Sequence, residues 1–137
     1  MKIVVTDDLA ACHALRRRVF IEEQNVPEEL EIDDLDDIAI HLLAFVEDRP
    51  VGTARLFIKD ETGKIGRVCV LPEARGTGLG AALIRAACQH LKDRGCTAAQ
   101  LGSQTHALPF YEKLGFAAFG PIYDDAGIPH RDMLRRL

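Results

Sequence analysis

Arg75-Gly76-Thr77-Gly78-Leu79-Gly80 sets three glycines at alternate positions just ahead of an apolar-periodic run. Glycine tolerates unusual backbone angles and lets a ligand approach the main chain closely. The first amides of a following helix lack internal partners, and the helix dipole adds partial positive charge. Such a turn is an anion site suited to a phosphate or pyrophosphate, with Arg75 as a charge partner at its mouth. A Walker A loop needs Lys after its last glycine, where Ala81 and Ala82 stand instead. Gly76-x-Gly78-x-x-Ala81 meets the loose dinucleotide fingerprint, which also wants an acid at the end of the next strand. The next strand-like run, residues 97–102, carries neither Asp nor Glu.

Cys12, Cys69, Cys88 and Cys96 form no CxxC pair, and no His stands at zinc-finger spacing. They read as small buried hydrophobes, with no metal expected. No signal peptide precedes the first strand-like run, and no apolar stretch approaches the roughly 18 residues of a membrane span. A reduced, cytoplasmic protein is expected, with no membrane partner. The net charge is −4, from 17 Lys and Arg against 21 Asp and Glu. That balance argues against a nucleic-acid partner.

The elements that must position these residues follow from periodicity. The 137-residue chain is expected to form a single domain, 1–137. A β-branched start at residues 1–5 is followed by a helix over 8–23, with Leu9, Cys12, Leu15, Val19 and Phe20 on its buried face. Arg16, Arg17 and Arg18 read as a partly solvated helix surface. Pro27 breaks the helix, and residues 22–37 read as a loop with one short helical turn. Strands are predicted at 40–47, 51–59 and 64–71, with turns at 48–50 and 60–63. Their near-continuous apolar character calls for helices on both faces of the sheet. An amphipathic helix runs from Leu79 to a C-cap at Gly95, its stripe including Ala82, Leu83, Ala86, Ala87, His90 and Leu91. A strand at 97–102, a short helix at 106–114 and strand segments at 116–119 and 130–134 complete the chain.

The segment 75–80 matches the (Gln/Arg)-x-x-Gly-x-(Gly/Ala) signature of the GNAT N-acetyltransferase superfamily. About thirty residues on, Ala107-Leu108-Pro109-Phe110-Tyr111-Glu112-Lys113-Leu114-Gly115-Phe116 resembles that family's A-x-x-F-Y-x-K-x-G-F block. The acidic stretch and the Gln-Thr-His-Ala-Leu-Pro-Phe-Tyr run resemble its small ElaA-like or YjcF-like branch. The resemblance implies an α+β fold, an α/β/α sandwich whose central mixed, mostly antiparallel sheet has helices on both faces. It implies acetyl-CoA as co-substrate and direct acetyl transfer to a primary amine of a small molecule or exposed peptide. A second reading keeps the fold as a non-catalytic acyl-CoA-binding regulator.

By the same resemblance, Val68, Cys69 and Val70 present backbone groups to the pantetheine arm, and one amide near Val68 or Cys69 meets the thioester oxygen. Arg75, Gly76, Thr77, Gly78, Leu79, Gly80 and Ala81 hold the pyrophosphate. Tyr111 matches the tyrosine that protonates the departing thiolate. Gln104 stands where the family often has Asn, with the same donor and acceptor groups on a longer arm. A covalent acyl-enzyme on Cys69 is disfavoured, since no His adjoins it in sequence to activate it. An alkylamine with a pKa of about 10.4 costs about 4.6 kcal/mol to deprotonate at pH 7, so a base or a water chain is expected. Glu22, Glu31, Asp33, His41 and His106 remain open for that role.

Nine of the sixteen residues at 22–37 are acidic and none is basic, so the rest of the chain holds 17 bases against 12 acids. The cationic body suits a phosphorylated cofactor. The acidic stretch, with Glu31, Asp33, Asp34 and nearby His41, is expected to border the acceptor site and to favour a cationic amine. A homodimer through the C-terminal strand or a sheet edge is a further expectation.

Overall fold

The computed structural model describes residues 1–137 as one seven-stranded sheet with helices against it. The chain runs β1 (Lys2–Thr6), α1 (Leu9–Arg16), α2 (Glu28–Glu31), β2 (Ile40–Val46), β3 (Arg49–Lys59), β4 (Thr62–Val70), α3 (Leu79–Asp93), β5 (Ala98–Gln104), α4 (Leu108–Glu112), β6 (Ala117–Asp125) and β7 (Ile128–Arg136). The sheet order is β1-β2-β3-β4-β5-β7-β6. Only β4 and β5 pair in parallel; every other neighbour is antiparallel. Residues 51–56 of β3 are all buried, which requires cover on both faces of the sheet. Both α1 and α3 pack on β3 and supply it. The expected α+β architecture is therefore present. No helix is long and apolar enough to cross a membrane.

Local chemistry explains the element ends. The Asp8 side chain accepts from the Ala11 amide at 3.1 Å and caps α1. Past Arg16 the helix widens into a π-helical stretch, Arg17–Glu23, so the predicted 8–23 helix keeps its extent but changes pitch. The hairpin between β2 and β3 turns on Glu47 and Asp48, both at positive φ. Gly63, read from sequence as part of a turn, lies within β4. A Cβ there would come within 2.4 Å of Leu91, so its missing side chain is what lets α3 seat closely on the sheet. The buried stripe of α3 is Leu79, Leu83, Ile84, Ala87, Cys88 and Leu91, rotated slightly from the predicted one. All four cysteines are free and buried, as their surroundings suggested.

The main departure concerns charge. Arg16 is 1% exposed rather than part of a solvated face. Its Nε donates to Glu31 and its Nη1 donates to Asp36 at 2.8 Å. Arg55 of β3 donates to Asp33 at 2.8 Å and to Asp36 at 3.1 Å, and His13 meets Asp36 at 2.9 Å. Arg67 of β4 closes the cluster at 3.4 Å from Asp33. Three arginines thus face three acids beneath the segment 28–38.

Removing one partner of a buried ion pair leaves an uncompensated charge, which costs about 3–5 kcal/mol. Arg16→Met is expected to lose that much in urea denaturation, while Arg17→Ala at an exposed pair stays within about 0.5 kcal/mol. The arginines hold the Asp33 and Asp36 carboxyls below the ordinary aspartate value, against the opposing effect of burial. With folded values depressed, their stabilisation is complete above about pH 4–5 and is lost as pH falls further. The urea midpoint should hold from neutral pH down to that window and then drop. Asp36→Asn should be destabilised already at neutral pH and lose less on acidification.

Candidate active site

β4 and β5 pair only from Thr62↔Ala98 to Ile65↔Leu101. Beyond that the two strands part, and β5 continues alongside β7 instead. The cause lies in β4. Between the pairs Arg55↔Gly66 and Thr53↔Cys69, β3 supplies only Ala54 while β4 supplies Arg67 and Val68. The extra residue makes a bulge, and Arg67 takes a left-handed φ of 48°. The bulged strand bends away, and a slot opens between the diverging strands.

Two cavities occupy this slot. The larger, about 570 Å³, is lined on the β4 side by Gly66, Arg67 and Val68 and on the β5 side by Leu101 to Gln104. Phe57, Glu31, Tyr111 and His130 also face it. The second, about 560 Å³, runs past Val68, Cys69 and Val70 to Arg75. Gln24, Val68, Gln104 and Ile128 border both. Gln104 Nε2 donates to Gln24 Oε1 at 3.0 Å and bridges the slot from β5 to the end of the π-helical stretch.

The glycine turn lies at the arginine end of the second cavity. Gly76 and Gly78 hold φ of +76° and +83°, and a Cβ at either would meet nothing within 4 Å. Glycine is thus required there by backbone angle, with open space beside it. Ala82 is the first amide of α3 with a helical partner, bonding the Gly78 carbonyl at 3.0 Å. Gly78 offers no side chain to cap the Leu79, Gly80 and Ala81 amides before it. Three donors at the positive end of a 15-residue helix therefore have no protein partner. The Thr77 hydroxyl is spent on the Ala74 carbonyl at 2.7 Å. Arg75 departs from the expected anion contact. Both its terminal nitrogens donate to Glu23 at 2.7 Å, and its Nε donates to the Val70 carbonyl at 3.0 Å.

α4 delivers Tyr111 to the larger cavity. Its ring packs edge-on against Phe110 at 5.0 Å and Phe116 at 5.9 Å, and burial pushes the phenol up to about 12. At neutral pH it is a protonated donor. Cys69 is 4% exposed, and desolvation lifts its thiol to about 12. That removes the thiolate a covalent route needs.

The candidate bases divide. Glu31 faces the larger cavity but is 4% exposed and engaged by Arg16. Glu22, Asp33 and Asp34 line neither cavity. Asp33 is spent on Arg55, and Glu22 and Asp34 are exposed. His41 is buried in β2 with Nε2 at 2.9 Å from the Asp36 carbonyl, away from both cavities. His106 lines the second cavity, with Nε2 2.7 Å from Gln104 Oε1. The acidic stretch is no free charge patch. Glu23, Glu28, Glu31, Asp33 and Asp36, five of its nine acids, pair with arginines. Sequence reasoning missed His130. Its Nδ1 donates to the Ile128 carbonyl at 2.8 Å, so in the neutral ring Nε2 is the acceptor, and it has no protein partner. Only the β5–β7 register, with Gln104 opposite His130, brings it to the slot.

A mixed sheet parted at its one parallel seam, with an anion turn at one end and a half-buried tyrosine at the other, is an acyltransferase fold. The acetyltransferase (GNAT) domain model matches residues 6–137, and the chain belongs to this family of enzymes. It is 37% identical over 139 residues to the uncharacterised N-acetyltransferase YjcF of Bacillus subtilis, covering 98% of this chain and 99% of YjcF. An acyl-CoA N-acyltransferase structure from Pseudomonas aeruginosa superposes with a TM-score of 0.88 at 30% identity, covering 98% and 99% of the two chains. The crystal structure of Escherichia coli ElaA gives 0.84 at 32%, covering 96% and 92%. These place the chain in the ElaA- and YjcF-like branch.

With its thiol near 12, Cys69 is thiolate in about one molecule in ten thousand at pH 8. Iodoacetamide should therefore leave it unlabelled in the native protein and label it after unfolding, as read by peptide mass spectrometry.

Proposed function

We propose that this chain is an N-acetyltransferase that moves an acetyl group from acetyl-CoA directly to a primary amine within a ternary complex. One observation carries the reading: the parted strands join the glycine turn to the Tyr111 cavity through a shared wall at Val68 and Gln104. The free amides of Leu79, Gly80 and Ala81 suit a diphosphate. The Arg75–Glu23 pair is exposed and contributes at most about 1 kcal/mol, so an incoming diphosphate readily recruits Arg75. The pantetheine arm follows Val70 and Val68, as the resemblance implied.

The acceptor amine enters the larger cavity from the opposite side. The Val68 amide, on the wall shared by both cavities, stabilises the oxygen as negative charge grows on it. Tyr111 donates its proton to the departing thiolate. Burial that disfavours a phenolate also disfavours a free thiolate, so a proton donor beside the leaving sulfur lowers the cost of its departure. The free Nε2 of His130 takes the amine proton, a role the sequence reading left among other residues.

Isothermal titration with acetyl-CoA, joined to an amine screen that reports thiol release, tests the proposal. Binding with thiol release supports it. No binding at millimolar cofactor overturns it, and binding without release from any amine favours the regulator reading. Tyr111→Phe and His130→Gln should each lower kcat by about a hundredfold or more. Acetyl-CoA affinity should stay within about threefold for both, since neither residue holds the diphosphate. The His130→Gln loss should shrink as pH rises and the amine deprotonates unaided.

A further inference from the structure

Arg67 is the least satisfied guanidinium in the buried cluster. All its hydrogen bonds run through Nη2 and are long: 3.2 Å to the Glu31 carbonyl, 3.4 Å to Asp33 Oδ2 and 3.5 Å to the Leu30 carbonyl. Its Nε is buried without a partner. The nearest acid to that nitrogen, Glu31 Oε1 at 3.9 Å, is already engaged by Arg16. Arg16 and Arg55 by contrast hold carboxylates at 2.8 Å. Burial, with Arg55 and Arg16 close by, destabilises the Arg67 charge further. A buried donor without a partner is costly, so a group that satisfies it binds with advantage.

Arg67 also faces the cavity assigned to the acceptor, with a side chain 26% exposed. The other charged or titratable groups lining that cavity are Lys64 from β4, Tyr111 from α4, Tyr123 and Asp125 from β6, His130 from β7 and Glu31 from α2. Glu31 is spent on Arg16, so the strand that carries the bulge presents Lys64 and Arg67 to the cavity, and Asp125 on β6 is the one acid of the lining without an ion-pair partner. The left-handed φ at Arg67 would suit glycine or asparagine better, and the position carries a long guanidinium despite that strain. A planar fork of donors matches a carboxylate or a phosphate.

We propose that Arg67 receives an anionic group carried by the acceptor, so that the substrate class is a primary amine bearing a carboxylate or phosphate. This rests on the acetyl-transfer reading above, and it replaces the purely cationic acceptor suggested by the acidic stretch. In such a molecule the anion docks at the bulge while the amine points at the thioester beside Val68.

Initial rates with acetyl-CoA on matched amines test this: β-alanine against its methyl ester, and phosphoethanolamine against ethanolamine. The charged member of at least one pair should have a kcat/KM about tenfold or more above its neutral partner, carried by KM. The pair that responds tells carboxylate from phosphate. Arg67→Gln should bring that ratio to within about threefold of one, and Arg67→Lys should restore part of it. Equal values in both pairs, or a preference that survives Arg67→Gln, overturns the proposal. So does a uniform loss on all four amines with a lowered Tm, which marks a structural arginine. If acetyl-CoA binds and no amine is acetylated, the transfer reading fails first. Thermal shift with β-alanine and inorganic phosphate then decides: a Tm rise lost in Arg67→Gln upholds the anion site, and no rise ends it.

Discussion

One extra residue in β4 governs the molecule. Ala54 of β3 faces both Arg67 and Val68, and the bulge this creates turns β4 away from β5 after four paired residues. Without it the parallel seam would continue, its amides and carbonyls would satisfy one another, and no slot would exist. Register would also shift by one, sending Arg67 to the other face of the sheet. The bulge costs about 1–2 kcal/mol through the left-handed angle of a non-glycine residue. Bonds from Arg67 to the Leu30 and Glu31 carbonyls offset part of that cost and tie α2 to the bulge.

The ion cluster follows from the same geometry. Segment 28–38 has only a short helix and a 3-10 turn of its own, with Leu30, Ile32, Leu35 and Ile38 exposed. Little apolar burial holds it down. Arg16, Arg55 and Arg67 rise beneath it from α1, β3 and β4 and take up Glu31, Asp33 and Asp36. Such clusters near break-even in net stability, because desolvation cancels much of the attraction. What they fix is position: with charges matched three to three, the segment has one low-energy seat at the edge of the larger cavity. Of the nine acids in residues 22–37, three are therefore internal counter-charge, two pair with exposed arginines and four face solvent unpaired.

The fold was legible because its determinants are local. Glycine spacing at 76–80, the stripe on α3 and the β-branched runs each follow from residue type and periodicity. Arg16 was misread because three successive arginines cannot all lie on one helical face, and periodicity alone does not say which turns inward. Its partners stand 15 and 20 residues away, in a segment without periodicity. His130 was invisible for a related reason. Its role depends on β7 lying between β5 and β6, a pairing that no local pattern specifies. Cys69 was legible as a small buried hydrophobe, because its apolar neighbours in sequence also surround it in the fold.

This division tracks the chemistry of the two halves of the slot. The donor half offers main-chain groups: free amides at the start of α3 and a strand edge at Val68 and Val70. Backbone donors do not depend on side-chain identity, so their signature survives as glycine spacing and strand position. The acceptor half is built largely from side chains, on β4, α2, α4, β6 and β7. A common donor and a variable acceptor need just this asymmetry. The bulge joins them, since its two residues serve opposite sides: Val68 borders both cavities, while Arg67 reaches only the acceptor one. On the proposed reading, the side chain at 67 therefore bears on what is acetylated, while the donor is met by main-chain groups.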